Sequence, residues 1–550
     1  MGQGQPEVSE EPASESVDQT KRRASQSSNM VSVLVIISRV TGFFRTSFQA
    51  WALGAAGLAS AYTVANNMPN SLYELVMGGM LITSFLPVYL SVKKRLGREG
   101  ASEYASNLLS IVVILMALLF VASFIFAEPI IWTQSAGASE DFEYGLSVWF
   151  FRWFSVSIIL YALSSIISGV LNAERDYLWS NIAPIFNNVI TISSFVLYGT
   201  LVHRMGVPVA DAVIVLAVGT PLGVAVQVFC QVPALYRHGV RLRLRINLRD
   251  PALRDTLSIG IPTLLATFVT FPTTAVMSSC ALSVTSAGAS ISYYSRVWYV
   301  LPYSIFAIPI SVTMFTELSN SLIGDDRGAF KSYLVDGMRK LFFTLIPCTM
   351  FLIVFAPVLV SVFASGQFDE TAVSMTSGYL RALSLALPFY ALSTYLQKAC
   401  SALMRMKYYT WAVCAGAVIQ IAICISLTPV WGLYVVPVSS AFYYGAVDVV
   451  ALLGIRKEVG GIGTRSIIAS SVRALALGLA GSIVGALILG GLTTAFGPSQ
   501  GALRAILYAA AGGVPAILVT FGGATALGVS EAPFFDALFS RLFRRSKRRA

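Results

Sequence analysis

Several charged side chains stand inside long apolar runs of this chain, where water is scarce. The bases are Arg39, Arg45, Arg152, Arg296, Arg381 and Lys398; the acids are Glu74, Glu317 and Asp448. A charge at the centre of a bilayer costs about 2.5 to 3.5 kcal/mol on insertion scales, so such a residue faces a cavity or a partner. The excess of arginine over acid at depth points to an anionic substrate group. Guanidinium suits a diphosphate, because its fixed fork of donors matches two phosphate oxygens and its charge is never neutralised. Blander readings stand beside this one. Glu74 can pair with one of the arginines, Arg152 and Arg381 lie near the outer ends of their runs and can snorkel to the interface, and Lys398 can reach a carbonyl or the inner interface. Arg39 and Arg45 are six residues apart, about 9 Å along an ideal helix and off one strict face. Gly42 between them permits a bend.

Catalytic patterns are weak. The two histidines, His203 and His238, fall in loops, and no paired acids, HExxH, GxSxG or GxxxxGK[ST] occurs. This argues against an enzyme and against ATP hydrolysis, and leaves an ion gradient, the membrane potential or consumption of substrate on the far side as driving force. The six cysteines lie in apolar runs without a CxxC pair and read as small packing residues. Neither a cofactor nor a metal is expected.

The elements that must position these residues follow from composition. Of 550 residues, 56% are hydrophobic and 12% charged, against roughly 25% charged in a soluble domain. Apolar runs of about 20 residues, the length that crosses a bilayer, recur near 31–52, 61–91, 107–128, 148–171, 181–202, 210–235, 257–279, 289–318, 341–363, 379–404, 409–427, 433–455, 468–490 and 505–529. The expected fold is an all-α polytopic membrane protein of about 14 spans. Thirty of the 38 lysines and arginines, counting Arg473 at the edge of its span, fall on the side of both termini, which the positive-inside rule makes cytoplasmic. Acidic loops with Glu140, Asp141, Glu143, Asp369 and Glu370 then face outward. The net charge of +11 belongs to this topology and to anionic lipid head groups, not to nucleic acid. Residues 1–30 form a polar cytoplasmic tail, disordered by composition, and 531–550 a basic one.

An internal repeat organises the spans. Arg152 precedes Tyr161-Ala162-Leu163-Ser164-Ser165 by nine residues, as Arg381 precedes Tyr390-Ala391-Leu392-Ser393-Thr394, and the offset is 229 in both. The same offset pairs Arg98 with Arg327 and Tyr104 with Tyr333. Six spans restore the chain direction, so the halves are parallel repeats about an axis along the membrane normal, an arrangement of secondary transporters. An N-lobe at 31–235, a basic linker at 236–256, a C-lobe at 257–455 and two added spans at 466–530 follow.

Ser38-Arg39-Val40-Thr41-Gly42-Phe43-Phe44-Arg45, then Leu53-Gly54-Ala55 and Ala65-Asn66-Asn67-Met68-Pro69-Asn70, resemble the amino-terminal signature of the MurJ (MviN) family. Further matches are Gly169-Val170-Leu171-Asn172-Ala173, Pro184-Ile185-Phe186-Asn187-Asn188, Tyr293-Tyr294-Ser295-Arg296 and Gly366-Gln367-Phe368-Asp369. Their order and spacing, more than any single motif, carry the resemblance from about residue 31 to 455. The family comprises lipid II flippases of the multidrug/oligosaccharidyl-lipid/polysaccharide exporter superfamily. The resemblance implies two rocking lobes around a cationic cavity, with Arg39, Arg45 and Arg296 holding the diphosphate of lipid II, and with the last two spans bordering a groove for its undecaprenyl tail. Glu74, Ser60, Asn66, Asn70, Arg152, Arg381 and Lys398 are the further candidates for cavity or gate. The chain departs from the pattern at Thr46, Ser60, Tyr73 and Gly78, where the family usually has an acid, an aspartate, an arginine and a glutamate; these positions bear on which lipid is carried. The eleventh span has no acid, so the sodium site of some relatives is not carried over. Competing expectations are an exporter of another anionic lipid-linked glycan or amphiphile, and a transport-silent scaffold that recruits cell-wall synthesis proteins through its tails.

Overall fold

The computed structural model describes residues 13–78, 85–499, 501–529 and 531. The described chain is helical almost throughout. The first repeat comprises α1 (Ala13–Leu53), α2 (Gly57–Tyr73), α3 (Leu86–Ile125), α4 (Ala127–Ser135), α5 (Tyr144–Phe154), α6 (Ser157–Ala173), α7 (Tyr177–His203) and α8 (Val209–Arg237). The second comprises α9 (Pro251–Val284), α10 (Gly288–Pro302), α11 (Ile308–Ile323), α12 (Arg327–Val360), α13 (Glu370–Ser384), α14 (Leu387–Ala402), α15 (Met406–Trp431) and α16 (Val435–Val459). Helices α17 (Thr464–Phe496), α18 (Ala502–Ile517) and α19 (Gly523–Ala526) follow.

Each expected apolar run falls on helix, but not every run is one straight helix. Among the described residues nine helices are long and apolar enough to cross a membrane, or ten if the bent pair α5–α6 counts as one span. The others are broken or partly outside the described residues. The run at 61–91 is the clearest case. Helix α2 ends at Tyr73 and passes into a π-helical turn, Glu74–Gly78, and residues 79–84 are not described. A second π-helical turn spans Tyr303–Ala307; both its ends lie 229 residues after those of the first, so the repeat extends to an irregularity of the backbone. Helix α1 begins at Ala13, well before the expected start near residue 31. The stretch 13–30 is polar but has neither Gly nor Pro to stop a helix propagating outward from the apolar run. The basic tail expected at 531–550 lies, apart from Glu531, outside the described residues.

Each lobe has its own apolar core. Tyr62, Phe150, Phe154, Ile166 and Leu171 are among the buried residues of the first, and Tyr294, Phe330, Leu345, Leu380 and Leu396 of the second. The neighbour relations repeat as well: α7 packs on α8 as α15 does on α16, and α2 on α5 as α10 does on α13. Helices α17 and α18 lie against α12 of the C-lobe, through small cores around Phe343, Phe355 and Tyr508.

Candidate functional site

A cavity of about 280 Å3 lies inside the N-lobe, and its walls are rows of residues four apart. Residues four apart share one face of a helix. Arg45 and Gln49 come from α1, Tyr62, Asn66 and Asn70 from α2, Asn187, Thr191 and Phe195 from α7, and Thr220 and Val224 from α8, with Tyr161 of α6 closing one side. The lining is rich in neutral hydroxyls and amides that are tied to one another. Tyr62 and Thr220 share a hydrogen bond of 2.7 Å, Asn187 donates to Gln227 at 3.0 Å, and Asn70 donates to the Glu74 carboxylate at 3.0 Å. Arg45 stands beside the phenols of Tyr293, Tyr62 and Tyr161 and has no ion-pair partner among the described residues. An unpaired guanidinium in a polar enclosure is what an anionic group would complete.

The other expected residues sit elsewhere. Arg39 is exposed on α1 and does not line this cavity. Its neighbours Ser38 and Thr41 tie α1 to Asn188 of α7. Arg296 is exposed on α10, within electrostatic reach of Tyr299, Tyr379, Tyr390 and Tyr444. Of the three arginines, only Arg45 lines the enclosed space. Glu74 is exposed at the start of the π-helical turn and pairs with no arginine among the described residues. Arg152 makes a loose, half-exposed contact with Glu128 at 3.4 Å, Arg381 donates to the Ile353 carbonyl at 3.1 Å, and Lys398 is half-buried on α14. None of these three lines the cavity. The altered position Tyr73 donates to Ser165 at 2.7 Å behind Tyr161, and Thr46 is buried and bonded to the Gly42 carbonyl.

Ser60 is fully buried and belongs to a seam between the lobes, bonded to Ser290 at 3.2 Å. The seam continues through Tyr294, which donates to the Gly54 carbonyl at 2.9 Å, and through the Gln367 amide, which donates to the Trp51 carbonyl at 3.0 Å. Gly54 and Gly366 face each other across it with φ of +66° and +61°, and a Cβ on either would strike the partner lobe's backbone. Phe43 of α1 also packs against Trp298 and Phe363 of the C-lobe, with ring centroids 5.3 and 5.6 Å apart. Thr46 also meets Tyr293 across the lobes, and at the acidic-loop end the Ser139 amide donates to the Leu282 carbonyl of α9 and the Ser279 hydroxyl to the Ala136 carbonyl. The seam lies at the end that carries the acidic loops.

Asp448 on α16 is 3% exposed, and neither of its carboxylate oxygens has a hydrogen-bond partner among the described residues. Between α12 and α18 an apolar cavity of about 190 Å3 is lined by Cys348, Phe351, Phe355, Leu359, Gly513 and Ile517. Reasoning from charge alone passed over Tyr62, Tyr161, Asn187, Thr191 and Thr220. The signal available was the four-residue spacing of polar side chains within apolar runs, as in Tyr62-Asn66-Asn70 and Asn187-Thr191.

Comparison with known proteins gives a consistent answer. Residues 49–505 match the family model described as lipid II flippase MurJ; Arg39 and Arg45 lie just before the matched stretch. A probable lipid II flippase MurJ of Borreliella burgdorferi is 24% identical over 371 residues, 67% of this chain and 71% of the relative. The lipid II flippase MurJ of Burkholderia cenocepacia is 24% identical over 363 residues, 65% of this chain and 69% of the relative. Among solved structures, a lipid II flippase MurJ in an inward closed conformation superposes with a TM-score of 0.70 at 20% identity, covering 90% of this chain and 99% of that one. An inward-facing multidrug resistance MATE family transporter of the MOP superfamily reaches 0.65 at 14% identity, covering 79% and 99%.

Proposed function

The chain belongs to the lipid II flippase MurJ family, and from that premise we propose that it moves lipid II, the undecaprenyl-diphosphate-linked peptidoglycan precursor, from the inner to the outer leaflet by alternating access. It is a multi-pass membrane protein of a transporter family, not of a catalytic one. The observation that carries the reading is the unpaired Arg45 in an enclosed polar cavity of a two-lobed fold.

Arg45 takes the diphosphate, because its fork supplies paired donors and keeps its charge away from water. The amides of Asn66, Asn70 and Asn187 and the hydroxyls of Tyr62 and Thr220 offer neutral hydrogen bonds to the sugar and peptide head group without competing for the arginine. Arg39, toward the other end of α1, and Arg296, on the facing lobe, hand the diphosphate in and out. The apolar cavity between α12 and α18 keeps the prenyl tail in a lipid-like setting throughout. With both termini cytoplasmic, the acidic-loop end faces outward and the Gly54–Gly366 seam is the outer gate. Rocking the lobes breaks the hydrogen bonds of the seam, with those of Ser139 to Leu282 and Ser279 to Ala136, and withdraws Phe43 from its aromatic neighbours, discrete contacts that re-form at each cycle.

The test is access of lipid II to an externally added lipid II-cleaving enzyme, in bacteria depleted of their own flippase and supplied with this protein. Cleavage restored by the wild type and lost in Arg45→Ala is expected. No restoration despite verified membrane insertion overturns lipid II as substrate. A second reading, export of another polyprenyl-diphosphate glycan, is favoured by the neutral side chains at Thr46, Ser60 and Tyr73, and binding competition between lipid II and such glycans separates the two.

A further inference from the structure

The only covalent connection between the lobes, from Arg237 to Pro251, contains an alternating sequence: Arg241-Leu242-Arg243-Leu244-Arg245-Ile246-Asn247-Leu248-Arg249. From 241 to 247 it has no helix or sheet partner, yet it is strapped along α3 by its main chain. The Ser106 hydroxyl donates to the Arg241 carbonyl and accepts from the Arg243 amide, and the Ser110 hydroxyl accepts from the Arg245 amide at 3.0 Å. The Asn107 side chain accepts from the Asn247 amide at 2.7 Å and donates to its carbonyl at 2.9 Å. Ser106, Asn107 and Ser110 are all buried, so α3 commits three polar side chains to this one segment.

Edge-on binding of an extended chain leaves its two side-chain faces free, because successive side chains alternate. One face is cationic: Arg245 pairs with Glu103 at 2.6 Å, while Arg241, Arg243 and Arg249 have no ion pair among the described residues. The other is apolar and open, with Leu244 84% and Ile246 55% exposed, and Leu248, 73% exposed, follows in the turn at 248–249. The anchors also set the depth. Ser106 to Ser110 covers about 6 Å of helix axis, and the long apolar run of α3 begins within it, at Leu108. The strap therefore crosses α3 where the helix passes from water into hydrocarbon.

We propose that residues 241–249 form a lipid-binding strap, whose arginines take the phosphates of anionic phospholipids while Leu244, Ile246 and Leu248 enter the acyl layer. Topogenesis alone accounts for the positive charges but not for the exposed leucines or the three buried anchors. An anionic lipid surface satisfies both faces at this depth. The strap also holds the inter-lobe hinge against the membrane while the lobes move.

The full-length protein is placed in nanodiscs of phosphatidylcholine with a minority of phosphatidylglycerol, and the phosphatidylglycerol retained after detergent extraction is measured by native mass spectrometry. Arg241→Gln/Arg243→Gln/Arg249→Gln touches no main-chain anchor and should cut retention by about tenfold or more, as the loss of three cations near an anionic surface requires. Leu244→Ser/Leu248→Ser, which keeps every charge, should lower it as well. Retention unchanged in the arginine variant overturns the proposal, whatever the leucine variant does. The assay reads lipid, not flipping, so its outcome is independent of the transported substrate.

Discussion

In the N-lobe, Tyr161 borders a cavity beside Arg45, whereas its repeat mate Tyr390 in the C-lobe is packed against Tyr303, Tyr444 and Tyr299, with ring centroids 4.4, 5.0 and 5.8 Å away. The surrounding helices correspond one to one, and even the π-helical turns coincide. A duplicated backbone thus holds a polar void in one half and a solid aromatic block in the other. Two of the candidate substrate arginines do not obey the repeat either, although Arg152 and Arg381 do. The mate of Arg45 is Thr274, and the mate of Arg296 is Asn67, each 229 residues away. Symmetry governs the scaffold, where helix length and apolar packing decide. The cavity depends on side-chain volume and charge, which each lobe sets separately.

The sharpest way to break this comparison is to exchange a charge in one half and a ring in the other. Arg45→Ala removes a charged hydrogen-bonding group worth about 1.5–3 kcal/mol, so externally cleavable lipid II should fall on the order of tenfold to a hundredfold, while Tyr390→Phe should leave it near wild type. Equal losses would mean that the tyrosine block is part of the path. Arg45→Lys should recover only part of the activity, since a point charge lacks the fork.

Next in size is the seam where the lobes meet. Gly54→Ala or Gly366→Ala forces a Cβ into the opposing backbone at a positive φ, a strain of about 1–3 kcal/mol before the clash itself. Hydrogen exchange at the Gln367 amide, which is bonded to Trp51, should accelerate by about tenfold or more. Protection as in the wild type would remove the seam as a gate.

A smaller effect is expected at Asp448. Its buried carboxyl has no partner among the described residues, so a charge there is costly, and Asp448→Asn should keep or raise the melting temperature. A clear drop would reveal a cation or donor that the carboxyl serves.

The smallest is a pH effect confined to the N-lobe. Burial pushes the Glu174 carboxyl up, but hydrogen bonds from Lys93 and Tyr89 outweigh it and hold the group below the usual 4.5. A carboxyl with a lowered folded-state pKa contributes stability that is present above 4.5 and is lost as pH falls through the lowered value. The C-lobe has Leu403 at the corresponding position. Acid unfolding below this point should therefore loosen α6–α7 before α14–α15 in hydrogen exchange, and Glu174→Gln, costing about 2 kcal/mol or less, should abolish the difference.

Much of the fold was legible in the chain. Runs of apolar residues, the side bias of Lys and Arg, and an offset read from a few residues such as Arg152 and Tyr161 led to two lobes and two added helices, because hydropathy and repeats are local properties. The breaks were harder to read. Pro69 hints at irregularity in the run at 61–91, yet the π-helical turn at Glu74–Gly78 arises from how that segment packs. The site was half legible. In-membrane charge singled out Arg45, but the same logic gave equal weight to Arg39 and Arg296, which lie outside the enclosed cavity, and it passed over the neutral residues that form most of the wall.

The sequence by itself determined that the chain crosses a membrane many times, that its halves are repeats and that cations stand within apolar runs, since each follows from residue types at fixed spacing. Only the tertiary structure decided which cation meets an enclosed void, that Gly54 and Gly366 close against each other although they lie in different lobes, and that three buried polar residues of α3 hold an arginine-rich strap. Voids, seams and anchors are gaps and contacts between helices distant in sequence, and no local pattern encodes the distance across them.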